Sequence, residues 1–130
     1  MADLTRTGMN NQKRGVSYFV SESMATAVAQ NDTLANLPAG IVVTNAYVVV
    51  TTASGTATDT VDIKLGSTVI GNECVVGVLG VGAGTPAVTY SATGGALSVV
   101  SGADAPDTAG VYRVVVEYLE LDKVTGEYTN

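Results

Sequence analysis

Asp59 and Asp62 stand three residues apart, as do Asp104 and Asp107 on either side of Pro106. Each pair offers hard oxygen ligands of the kind calcium takes, and two carboxylates are also the working groups of glycoside hydrolysis. Neither pair has the spacing of an EF-hand loop, and on a strand Asp59 and Asp62 fall on opposite faces. Sugar chemistry lacks its usual platforms, since the chain holds six tyrosines, one phenylalanine and no tryptophan. Surface charge and turn initiation are the better reading of all four aspartates. There is no histidine and one cysteine, so imidazole bases, Ser-His-Asp or Cys-His nucleophiles and His/Cys zinc sites cannot be assembled. No catalytic, cofactor-binding or metal site is assigned, and the chain reads as a non-enzyme that needs no cofactor.

The glycine-rich run GVLGVGAG, residues 77–84, invites comparison with phosphate-binding loops. Gly80 and Gly82 are followed by Gly84, Thr85 and Pro86, then by a strand-like run, where a dinucleotide loop requires a helix. No lysine follows as in a P-loop. A bulged strand or a long loop fits the segment better. Cys74 is a small apolar residue destined for burial and has no partner for an internal disulfide.

Net charge is −6 with a pI near 4.2, a balance that repels nucleic-acid backbone and anionic membranes, so neither is a partner. The uncharged stretch Thr33 to Thr58 contains Asn36, Pro38 and Asn45, and the glycine-rich Cys74 to Ala103 is no more continuous. Neither reads as a membrane span, and the chain is expected to be soluble. Residues 1–15 stand apart as an extended basic N-terminal arm, with Arg6, Lys13 and Arg14 set against Asp3. These three cations are the candidates for contact with an acidic partner surface. The short apolar run that follows, Val16 to Val20, is broken by Ser17 and closed by Glu22, which does not make a signal peptide.

The remaining residues, 16–130, must fold as one domain. Valine (22), threonine (17), alanine (16) and glycine (15) make up 70 of the 130 residues, a bias that suits pleated strands joined by tight turns. Val16–Ser21 and Met24–Gln30 read as short strands, with a turn at Asn31-Asp32, and Pro38-Ala39-Gly40 is a stronger turn signal. Ile41 to Ala53 is apolar on both alternating sets, Ile41, Val43, Tyr47 and Val49 against Val42, Ala46, Val48 and Val50, which predicts a strand covered on both faces. Residues 59–65 alternate, with Val61, Ile63 and Leu65 inward and Thr60, Asp62 and Lys64 toward water. Gly66-Ser67 then makes a two-residue hairpin loop. Val88–Ala92, Ala96–Val100 and Val111–Asp122 complete about eight strand candidates, the last with Tyr112, Val114, Val116 and Tyr118 on one face. The spacing predicts an all-β fold, an antiparallel β-sandwich of jelly-roll type. With so few aromatics the core is thin, and burial between symmetric copies would strengthen it.

The order of LANLPAGIVVTNAYVVVTTASGTATDTVDIKLG, YSATGGALSVV and GVYRVVVEYLEL resembles small β-sandwich structural proteins of tailed-bacteriophage virions, capsid decoration or cement proteins and head-fibre components among them. The likeness covers roughly residues 30–121. It implies a virion protein, made in the host cytoplasm, that sits on the outside of an assembled shell, commonly as a homotrimer, and reinforces contacts between major capsid subunits. The partner so implied is the major capsid protein. The rival reading is a receptor- or glycan-binding module of a phage tail or fibre, with its site in the loops 71–86 or 101–110.

Overall fold

Period-two patterning sorts the β-branched runs into two antiparallel sheets packed face to face. The computed structural model describes residues 17–86 and 88–121; the basic arm, with Arg6, Lys13 and Arg14, lies outside them. Eleven strands and no helix are found among the described residues. The first sheet is built on β4 (Ile41–Thr52) and β11 (Val111–Glu120), paired antiparallel along almost their whole length. Two short strands, β1 (Ser17–Val20) and β2 (Met24–Ala25), share the far side of β11, while β7 (Gly80–Gly82) and β9 (Thr89–Ser91) share the far side of β4. The second sheet has the order β3-β10-β5-β6-β8, with β3 at Asn31–Leu37, β10 at Gly95–Ser101, β5 at Thr60–Leu65, β6 at Thr68–Val75 and β8 at Thr85–Pro86. The expected β-sandwich is therefore the observed architecture.

The core lies between the sheets. Seventeen apolar residues are buried there, eight of them valine, and Tyr112 is the one aromatic side chain that is fully buried among the described residues. Phe19, Met24, Leu34 and Tyr118 pack around its margin. Each buried valine contributes about 1.5–3 kcal/mol, so many modest terms hold the sandwich together.

A bulge changes the reading of β4. Ile41 and Val43 point inward, but Thr44 is an extra residue opposite the step from Glu117 to Tyr118, and beyond it Ala46, Val48 and Val50 point inward. Tyr47 and Val49 therefore lie on the opposite face from Ile41 and Val43, contrary to strict alternation, because a bulge inserts one residue and inverts the phase. Nor is β4 covered on both faces: its outward set, Val42, Thr44, Tyr47 and Val49, is only half-buried.

The Asn31-Asp32 turn is also corrected. Those residues begin β3, and the chain reverses just before them, where the Gln30 side-chain oxygen accepts from Ala27 N–H at 3.0 Å. Thr60 is buried, since it sits at the end of β5 under the loop that follows β10 and its amide donates to the Asp104 carbonyl at 2.8 Å. The Gly66-Ser67 hairpin forms as expected, with Gly66 at φ +61° and Leu65 opposite Thr68.

The glycine-rich segment joins the two sheets. The chain leaves β6 in the second sheet, enters the first as β7 beside β4, returns as β8 beside β6, and crosses again to β9. This stitching brings backbone against backbone, so that a methyl group at Gly82 would run into the Val75 carbonyl and the Val48 side chain. On the opposite flank the chain crosses once among the described residues, from β2 in the first sheet to β3 in the second.

Candidate interaction surface

The carboxylates that sequence singles out serve as local hydrogen-bond acceptors. Asp59 is buried and accepts from Ser54 Oγ at 2.6 Å and from Thr56 N–H at 3.3 Å, which closes the loop between β4 and β5. Asp62 accepts from the Glu73 amide at 2.7 Å. Asp107 accepts from Ala109 N–H and Gly55 N–H, both at 2.9 Å, and these bonds hold its carboxyl below the usual range. No group of three or more His, Cys, Asp or Glu side chains among the described residues is placed to hold a metal ion. Cys74 is buried, and desolvation, reinforced by Asp62 and Glu73 and opposed by the Gly84 backbone, pushes its thiol up to about 11.

Glu73 is a residue that sequence reasoning missed. It sits on a second bulge, in β6 opposite Asp62, with φ +58°, a conformation that side chains other than glycine rarely adopt. Its carboxylate accepts from the Ala103 amide at 2.9 Å and from Thr60 Oγ1 at 3.3 Å, tying the loop after β10 to the second sheet. Nothing in the local sequence signals this, because the acceptor and donor are thirty positions apart.

Two surfaces remain with features beyond ordinary solvation. The first is the flank between the outer edges of the sheets, a groove of about 690 Å³ lined by Phe19, Met24 and Leu34 together with Glu22, Gln30 and Asp32. Here side chains just after β1 and just after β2 replace ladder bonds to β11 and the residue before it. Val114 N–H donates to Ser21 Oγ at 2.8 Å, and Gly110 N–H donates to Thr26 Oγ1 at 2.9 Å.

The second is the outer face of the first sheet. Cross-strand partners point the same way, so the register sorts this face into rows: Val20, Val115 and Tyr47 in the middle, with Arg113, Val49 and Val81 on one side and Tyr18, Glu117 and Asn45 on the other. A further row beyond these carries Leu119, Val42 and Tyr90. Tyr18, Val81 and Tyr90 are each more than 60% exposed, although such side chains usually seek cover. Arg113 and Glu117 are the two charged residues on these four rows.

The sandwich has a solved counterpart in fold. A chain of the structure described as the cyanophage Pam1 capsid asymmetric unit superposes on this one with a TM-score of 0.53, covering 82% of this chain and 84% of that one at 21% identity. The likeness is one of fold. It spans about four-fifths of each chain. No family profile matches the sequence, and no curated protein matches it. Among the described residues, no helix is long and apolar enough to cross a membrane.

Proposed function

We propose that this chain is a structural, non-enzymatic virion protein that binds the outside of an assembled phage capsid and reinforces contacts between major capsid subunits, in the manner of decoration or cement proteins. The observation that carries this reading is the fold shared along four-fifths of both chains with a component of a cyanophage capsid unit. The described surface adds support of a different kind. Asp59, Asp62 and Asp107 are spent on local hydrogen bonds, while an apolar sheet face is left available for protein contact. On this reading the location is the capsid surface, the partner is the major capsid protein, and copies associate symmetrically.

The basic arm has a part in the same proposal. Arg6, Lys13 and Arg14 precede a body in which nine carboxylates face two cations, Lys64 and Arg113, over residues 17–121. An arm of fifteen residues reaches at most roughly 50 Å, enough to cross onto a neighbouring subunit. Full-length protein and a variant lacking residues 1–15 are mixed with undecorated shells over a range of salt, and occupancy is measured. The expected outcome is occupancy that falls with salt and is weaker without the arm. No binding to shells by either protein overturns the proposed function; equal occupancy at every salt concentration overturns the role of the arm.

A further inference from the structure

We propose that the outer face of the first sheet is a self-complementary interface that pairs with the same face of a second copy about a two-fold axis passing over Val115. Arg113 and Glu117 are each two residues from Val115 on β11, on the same face and on opposite sides of it. Their separation along the strand, roughly 13 Å, keeps them from pairing within one chain. A two-fold axis in the plane of the interface, perpendicular to β11 at Val115, reverses the strand direction and lays Arg113 of each copy over Glu117 of the other. One operation then satisfies both charges twice and stacks the apolar row of Val20, Val115 and Tyr47 on its own image.

Charge also selects a second copy as the occupant. Residues 17–121 carry nine acidic and two basic side chains, so most approaches between two copies set like charge against like. The outer face escapes this repulsion, because its one cation and one anion balance and their order along the strand is antiparallel to itself. The size is suited to a reversible contact. Nine residues of β11 from Val111 to Leu119 and three to four strands of width make a patch of roughly 500 Å² per copy, or roughly 1,000 Å² in the pair, at the lower limit for a specific interface. The association is therefore concentration-dependent, and two-fold pairing sets it apart from the trimer.

Charge reversal tests this on the free full-length protein, without shells, so that its outcome is independent of the capsid reading. Sedimentation equilibrium is run from about 1 μM to about 1 mM on wild type, Arg113→Glu, Glu117→Arg and the double variant, with far-UV circular dichroism to confirm the fold. Wild type is expected to form a dimer. Each single reversal is expected to weaken it at least about tenfold, because two attractive contacts become repulsive, and the double variant is expected to restore it. The sharpest arm mixes the two single variants, whose faces carry opposite charge. They are expected to form a mixed dimer tighter than either forms alone. A wild-type monomer across the range, a trimer, a dimer indifferent to single reversal, or no mixed association overturns the proposal. A wild-type monomer whose shell occupancy drops on Arg113→Glu also overturns it, and assigns the face to the capsid instead.

Discussion

At the residue scale, the side chains that look most reactive are the most constrained. Cys74 is buried with its thiol raised from 9.0 to about 11 by desolvation, so the native protein is expected to resist thiol alkylation at pH 8 and react only when unfolded. The same shift has a pH consequence. The folded state holds the thiol proton more tightly than the unfolded chain does, so the stabilisation is complete below about pH 9 and lost as pH rises through about 11. Tyr112, whose hydroxyl is buried without a hydrogen-bond partner among the described residues, is shifted upward by burial as well and acts in the same direction. Chemical denaturation between pH 8 and pH 11 should therefore show a falling unfolding free energy, and Cys74→Ala should flatten part of the fall. Gly82 is constrained by space rather than by charge. Gly82→Ala must displace the Val75 carbonyl and the Val48 side chain, and is expected to cost about 1–3 kcal/mol in urea unfolding.

At the element scale, two bulges decide what faces where. The bulge at Thr44 lets β4 turn one apolar set into the core at each end while keeping its pairing with β11. The bulge in β6 places Glu73 at positive φ and aims its carboxylate at Thr60 and the Ala103 amide. Two substitutions separate strain from hydrogen bonding there. Glu73→Ala keeps the unfavourable dihedral and loses the acceptor, whereas Glu73→Gly loses the acceptor but relieves the dihedral. The glycine variant is expected to be more stable than the alanine variant by about 1 kcal/mol, measured by thermal or urea unfolding. Hydrogen exchange should rank the strands in the same spirit. Central β4, β11, β5 and β10 should protect their amides most, and β1, β2, β8 and β9, each two to four residues long, should open first.

At the scale of the whole molecule, the sandwich is closed unequally. One flank is stitched by the glycine-rich crossings, and the other has β3 and the β1–β2 side as its edges among the described residues, beside a groove. The valine-rich core gives modest burial per residue, and a large apolar face stays in contact with water. Pairing of that face binds only the folded state, so it should raise the melting temperature as protein concentration increases. Differential scanning fluorimetry over two decades of concentration should show that rise in wild type and its disappearance in Arg113→Glu.

The fold class was written into the sequence because inward and outward positions on a strand differ in polarity, and local alternation such as Val61, Ile63 and Leu65 in β5 reports that directly. The Gly66-Ser67 loop was equally legible, since the turn needs glycine for a local dihedral reason. The phase of β4, the role of Gly82 and the clamp at Glu73 were not. Each depends on atoms brought together from distant parts of the chain, and in β4 both alternating sets are valine-rich, so hydrophobicity carried no record of which set a bulge would turn outward. The same holds for Arg113 and Glu117, which sequence places on one strand face. Only the packing of two sheets decides that this face is the outer one, because the opposite face is occupied by the core.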